Sequence, residues 1–127
     1  MTSKFRQLPL DLRIKESKRV LAKHTDKVPV IIEPANGNQP KLQSGAKHLV
    51  PASMTMQGLL VFVRRGLPDL PAQEALSLFI ESQSANGKLE AILVPMSSTV
   101  GTVYNTRRSE DGFLYIVYSL ENTFGSM

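Results

Sequence analysis

Few side chains in this chain are placed to do chemistry. The only histidines are His24 and His48, and neither has a cysteine beside it or a partner at ligand spacing. Both read as surface or half-buried imidazoles, and no metal site is expected. Cysteine is absent, so there is no disulfide, no thiolate ligand and no thiol nucleophile. The carboxylates are scattered, and Glu110-Asp111 reads as part of a turn. Gly58, Gly66, Gly87 and Gly101 build neither a P-loop nor a Gly-x-Gly-x-x-Gly fingerprint. These readings argue against an enzyme and against a bound cofactor. One feature is left: ENTFGSM, residues 121–127, follows directly on the apolar strand FLYIVYSL of residues 113–120. Its glycine is either part of a fraying end or the working part of the molecule.

Composition bounds what must hold such a tail. At 127 residues the chain suits one domain with one core. An apolar fraction of 42% with 20% charged residues fits a globular fold and not a disordered one. The longest apolar runs, LLVFV at 59–63 and AILV at 91–94, are far shorter than a membrane span. No signal-peptide pattern is read at the start, and a cytoplasmic setting is the expectation. A net charge of +4 and a pI near 9.6 favour anionic partners. Basic residues gather at Arg13, Lys15, Lys18, Arg19, Lys23 and Lys27. Nucleic acid is not expected there, because Phe5 is the only aromatic residue before Phe62 and stacking platforms are missing. A solvated helix face is the plain reading of that cluster.

The elements follow from pattern. Leu10, Ile14, Ser17 and Leu21 mark one face of a helix from Pro9 to about Lys23, although Leu8, Leu10, Leu12 and Ile14 also alternate as a strand would. KVPVIIE, residues 27–33, reads as a strand, and Pro29, which lacks an N–H, puts it at or near a sheet edge. Residues 34–46 read as a turn and loop, and KHLVP at 47–51 as a second strand. Ser53 or Thr55 caps a buried helix through MQGLLVFVRRGL, with Gly66 as its stop. EALSLFI, residues 74–80, is a third strand. Residues 82–95 contain an Asn-Gly signal and an apolar run, which leaves a hairpin, a long loop or an extra short strand open. Ser97 or Ser98 caps a short polar helix to about Arg108, and Asp111-Gly112 turns the chain into the last strand. This order predicts an α+β roll, with one mixed sheet packed on the central helix. An edge strand beside a basic helix is suited to accept a peptide as an added strand, and its lysines would select acidic partners.

HTDKVPVIIE, KHLVPASMT, EDGFLYIVYS and ENTFG occur in that order, at nearly the expected spacing. Together they resemble the autophagy ubiquitin-like modifiers, the family that includes GABARAP and the microtubule-associated light-chain proteins. The resemblance spans about residues 10–125. It implies a ubiquitin-like β-grasp, with a four-stranded mixed sheet packed on helices and two N-terminal helices, the first lying before Pro9. The whole chain would be one domain: a helical extension at 1–26, a β-grasp core at 27–121 and a conjugation tail at 122–127.

The resemblance also implies a docking face for acidic aromatic-x-x-aliphatic motifs. Its aromatic pocket would use Glu16, Val20, Pro29, Ile31, Lys47, Leu49 and Phe113. Its aliphatic pocket would use His48, Val50, Pro51, Met54, Leu59 and Phe62, while Lys27 and Lys47 meet acidic flanks. On the residues alone, Val20, Ile31, Leu49 and Phe113 read simply as core. For the tail, it implies that a cysteine protease cuts between Gly125 and Ser126. Activating and conjugating enzymes would then pass Gly125 to phosphatidylethanolamine on autophagosomal membranes, with Thr123 and Phe124 presenting the glycine. A monomer that docks cargo receptors and autophagy machinery is the expected form. Two alternatives stay open: a peptide-binding adaptor that is never lipidated, and a modifier joined to a protein lysine. The chain departs from the family pattern at Gly66, where many relatives have an arginine that grips the peptide, and at Ser77, which replaces an aromatic residue. About ten residues around 84–94 also read as an insertion relative to the family.

Overall fold

A computed structural model describes residues 4–36, 39–67, 70–71 and 73–120. A 3₁₀ turn at Phe5–Gln7 precedes helix α1, Leu10–Lys23. Strands β1, Lys27–Pro34, and β2, Lys47–Pro51, come next, then helix α2, Met56–Gly66. They are followed by β3, Leu76–Gln83, β4, Leu89–Ile92, helix α3, Val100–Arg107, and β5, Leu114–Leu120. The strands form one mixed sheet in the order β2-β1-β5-β3-β4. β1 runs parallel to β5, and the other pairings are antiparallel.

Local chemistry accounts for the helices. The Thr55 hydroxyl accepts from Gly58 N at 3.1 Å and opens α2, and Met56, Leu59 and Val63 form its buried stripe. Thr99 caps α3 in the same way through Thr102 N at 3.2 Å. β5 lies between β1 and β3, and its LYIVYSL run is buried along most of its length. A strand covered on both faces has no need of polar alternation. On one face of the sheet, Val28, Val30, Ile32, Leu78, Ile80, Leu114, Ile116 and Tyr118 pack with the stripe of α2 and with Val100, Val103 and Tyr104 of α3. On the opposite face a smaller cluster gathers Ile31, Phe113 and Tyr115, with Phe5 and Ala46 against it.

Several expectations change in detail. The sheet has five strands, not four, because residues 82–95 form a hairpin arm: Gly87 at φ +84° turns the chain, and β4 pairs with β3 from Gln83↔Leu89 to Ile80↔Ile92. The first N-terminal helix is the three-residue 3₁₀ turn. The cap of α3 is Thr99, one residue beyond the serines. Gly66 is the last residue of α2, and Leu67 leaves the helix through extended backbone, so no left-handed cap is used.

KVPVIIE lies next to the sheet edge but is not itself the edge strand. β1 is flanked by β2 and β5. Pro29 is tolerated because β1 pairs with β2 over residues 27–31 but with β5 only from Val30 onward. At Pro29 a strand lies on one side only, where a missing N–H costs least. The edge belongs to β2. The residues expected to form the conjugation tail, Gly125 and Ser126 among them, lie outside the described residues.

Candidate peptide-docking edge

β2 is the end strand, paired with β1 and with no strand beyond it among the described residues. Alternation along a strand sends successive side chains to opposite faces. Lys47, Leu49 and Pro51 therefore share one face of β2 with their partners Ile31, Pro29 and Lys27 on β1. His48 and Val50 share the other face with Val30 and Val28.

The first face looks toward α1 and the small cluster. Glu16, on α1, reaches across to β2 and takes a hydrogen-bonded ion pair from Lys47 Nζ at 2.8 Å, with Arg19 at 3.1 Å on its other oxygen. The bonds from Lys47 first, and then from Arg19, hold the Glu16 carboxyl below its usual range. Leu49 is 37% exposed, whereas Ile31 is 1% and Phe113 0% exposed. Pro29 is buried and Val20 half-buried. Lys27 and Lys47 stand at opposite ends of the β1–β2 ladder, opposite Pro51 and Ile31 respectively. Four residues of strand separate those ends, about 13 Å.

The second face looks toward α2. The His48 ring meets the Phe62 ring edge-on, with centroids 5.3 Å apart at 84°. His48 Nε2 is 2.8 Å from Ser44 Oγ, and Nδ1 is 3.1 Å from Ala46 O. Phe62 is 38% exposed, Met54 is half-buried, Pro51 is exposed, and Val50 and Leu59 are buried in the main core. The structure thus places the residues assigned to the aromatic pocket on the α1 side of β2. Of those assigned to the aliphatic pocket, it sets His48, Val50, Met54, Leu59 and Phe62 toward α2. Pro51 stands on the opposite face of the strand, and Val50 and Leu59 offer floor and not open surface.

Neighbours of this edge were not read from the sequence. Asp111 is 1% exposed and takes bonds from Arg13 Nη1 at 2.7 Å, Tyr115 OH at 2.5 Å and Phe113 N at 2.9 Å. Its carbonyl accepts from Ser17 Oγ at 2.6 Å. This network pins α1 to the start of β5 and so fixes Glu16 over Lys47. Burial pulls the Arg13 guanidinium down, but the bonds to Asp111 and Tyr115 outweigh it and leave it raised. Burial, followed by the bond to Asp111, raises the Tyr115 phenol. Gly112 sits at φ +87°, and a Cβ there would meet Ser17 Oγ at 2.3 Å. The Asp-Gly pair signalled the turn, but nothing local signalled that its carboxylate is buried against a helix about a hundred residues away. Phe5, Leu8, Leu12, Arg13, Glu16, Arg19 and Lys47 also line a cleft of about 360 Å³ beside the edge.

The family model described as autophagy protein Atg8, ubiquitin like, matches residues 12–125. The chain belongs to this family. Among curated Atg8 proteins, it is 36% identical over 126 residues to autophagy-related protein 8 of Emericella nidulans, covering 98% of each chain. It is 37% identical over 119 residues to autophagy-related protein 8a of Arabidopsis thaliana, covering 94% of this chain and 89% of that one. Among solved structures, ATG8 of Trypanosoma brucei superposes with a TM-score of 0.74 at 28% identity, over 95% of this chain and 97% of that one. The fold is therefore the ubiquitin-like α+β fold of the Atg8 family, and the protein is an autophagy ubiquitin-like modifier. No described helix is long and apolar enough to cross a membrane.

Proposed function

We propose that this Atg8-family protein is cut between Gly125 and Ser126, joined through Gly125 to phosphatidylethanolamine on autophagosomal membranes, and used there to dock acidic aromatic-x-x-aliphatic motifs by strand addition at β2. One observation carries the docking part: apart from Pro51, the two sets of pocket residues lie on opposite sides of an end strand. In an extended peptide, residues three apart point to opposite faces and lie about 10 Å apart. A strand added to β2 would therefore send its aromatic residue toward α1 and its aliphatic residue toward α2. Lys27 and Lys47, one at each end of the ladder, would meet acidic flanks on either side of the motif.

Magnitudes assign the roles. An aromatic ring that buries about 150 Å² gains about 4 kcal/mol before ordering costs. An exposed lysine contact adds roughly 0.2–1 kcal/mol, and here Lys47 must first leave Glu16. The pockets would supply affinity, and the lysines selection and on-rate.

The tail reading rests on family membership and on the Phe124-Gly125 pair. Glycine lacks a Cβ and passes into a narrow active-site channel that other residues cannot follow. The thiols of the relay belong to the protease and to the activating and conjugating enzymes, so this chain needs none. Two acyl chains carried by the lipid would anchor it stably, where one chain is marginal. Intact-mass spectrometry of the protein from its own cells tests this. The expected form lacks Ser126-Met127 and carries the lipid. Retention of both residues in every molecule would leave a peptide-binding adaptor, and an isopeptide bond from Gly125 to a lysine would mark a protein-conjugated modifier.

A further inference from the structure

We propose that the N-terminal segment is a built-in strap over the aromatic pocket, and that it must lift before a partner's aromatic residue can seat. This rests on the docking reading above and names the regulation of that same site. The floor assigned to the pocket is closed: Phe113 and Ile31 are buried, as is Pro29. The Phe5 ring lies edge-on against Phe113, with centroids 4.7 Å apart at 65°, and 6.4 Å from the Tyr115 ring. Residues 5–8 read Phe-Arg-Gln-Leu, which has the same aromatic-x-x-aliphatic spacing as the motif the edge would bind. Phe5 and Leu8 line the cleft that Glu16, Arg19 and Lys47 also line.

The imitation is incomplete, and that makes it reversible. The segment is a 3₁₀ turn, not a strand, so it adds no ladder to β2. Leu8 is 47% exposed and lines the cleft beside α1, and is not among the residues assigned to the aliphatic pocket. Its neighbours are Lys4 and Arg6, cations that gain nothing from Lys27 or Lys47, and Lys47 stays paired with Glu16. Arg6 holds the strap down, with its guanidinium 3.5 Å over the Tyr115 ring and its Nε 3.1 Å from Glu81. An acidic extended ligand would offer what the strap lacks: a backbone ladder, an aliphatic anchor and charge for the lysines. A site open for only a fraction of the time binds more weakly by that fraction.

The test uses the full chain and a synthetic acidic peptide with a Trp-x-x-Leu core, measured for affinity and association rate by a fluorescent label. Phe5→Ala should bind about tenfold tighter, chiefly through faster association. Arg6→Gln, which keeps Phe5 and guards against a folding defect in the first variant, should move the same way by a smaller factor. In the parent, hydrogen exchange at residues 4–8 should rise when the peptide is added. Peptide binding that Leu49→Ala weakens, with Phe5→Ala and Arg6→Gln unchanged or weaker than the parent, would overturn the strap and leave the docking edge standing. No binding to the parent or to either strap variant would overturn both.

Discussion

At residue scale the buried charge pair carries the largest consequence. Arg13→Met would strand the Asp111 carboxylate in the interior with two neutral donors, and removing one partner of such a pair costs about 3–5 kcal/mol. Urea unfolding should show that loss, and a change under about 1 kcal/mol would contradict the role given to the network. The Glu16 pair behaves differently because it is exposed. Its carboxyl is held below its ordinary value of 4.5, so its contribution is complete above that value and is lost as pH falls through the lower folded value. The stability gap between the parent and Glu16→Gln should stay under about 1 kcal/mol at neutral pH and close in acid. Tyr118 has the opposite sign. Burial pushes its phenol up to about 12, and its hydroxyl donates to Pro40 O at 2.5 Å. That stability is complete below about 10 and is lost as pH rises toward 12. Tyr118→Phe should unfold less steeply in alkali than the parent, as followed by far-ultraviolet circular dichroism.

The element scale shows what was legible in the sequence and why the rest was not. Apolar spacing and a capping Ser53 or Thr55 located α2, and near-continuous apolar residues located β5. Both signals are local, and burial only reinforced them. Pro29 placed β1 near the sheet edge but did not say which strand forms it, because a missing N–H marks a position with one paired side, and a whole strand at the edge is only one way to produce that. The staggered pairing of β1 with β2 and β5 is another, and stagger is invisible in the residues. The hairpin of β3 and β4 is not legible for a related reason: a four-residue strand carries little pattern of its own. β4 pairs on one side and its residues are exposed or half-buried, whereas β5 is paired on both sides and largely buried. Native-state hydrogen exchange should find β4 amides opening far more readily than those of β5, and equal protection would contradict a peripheral β4.

At the scale of the whole molecule, charge and the proposed docking edge would act together. A net charge of +4, with Lys27 and Lys47 on the β1–β2 ladder, should draw acidic peptides by long-range attraction. Association with an acidic Trp-x-x-Leu peptide should slow as salt rises from low to about 0.5 M, while dissociation changes little, because exposed charges are screened beyond the Debye length. Leu49→Ala, by contrast, removes apolar contact that salt does not screen, and should weaken binding about tenfold at any ionic strength.

The sequence by itself determined the three helices, the strands β1, β2, β3 and β5, and the family likeness. Each of these is written in neighbouring residues, whose periodicity, caps and motif order need no distant partner. Only the tertiary structure decided that β2 and not β1 is the edge, that Lys47, Leu49 and Pro51 face one way from it and His48 and Val50 the other, that Asp111 is buried under α1, and that Phe5 lies on Phe113. These depend on contacts between residues far apart in the chain, and burial and strand neighbours are settled only when those residues pack.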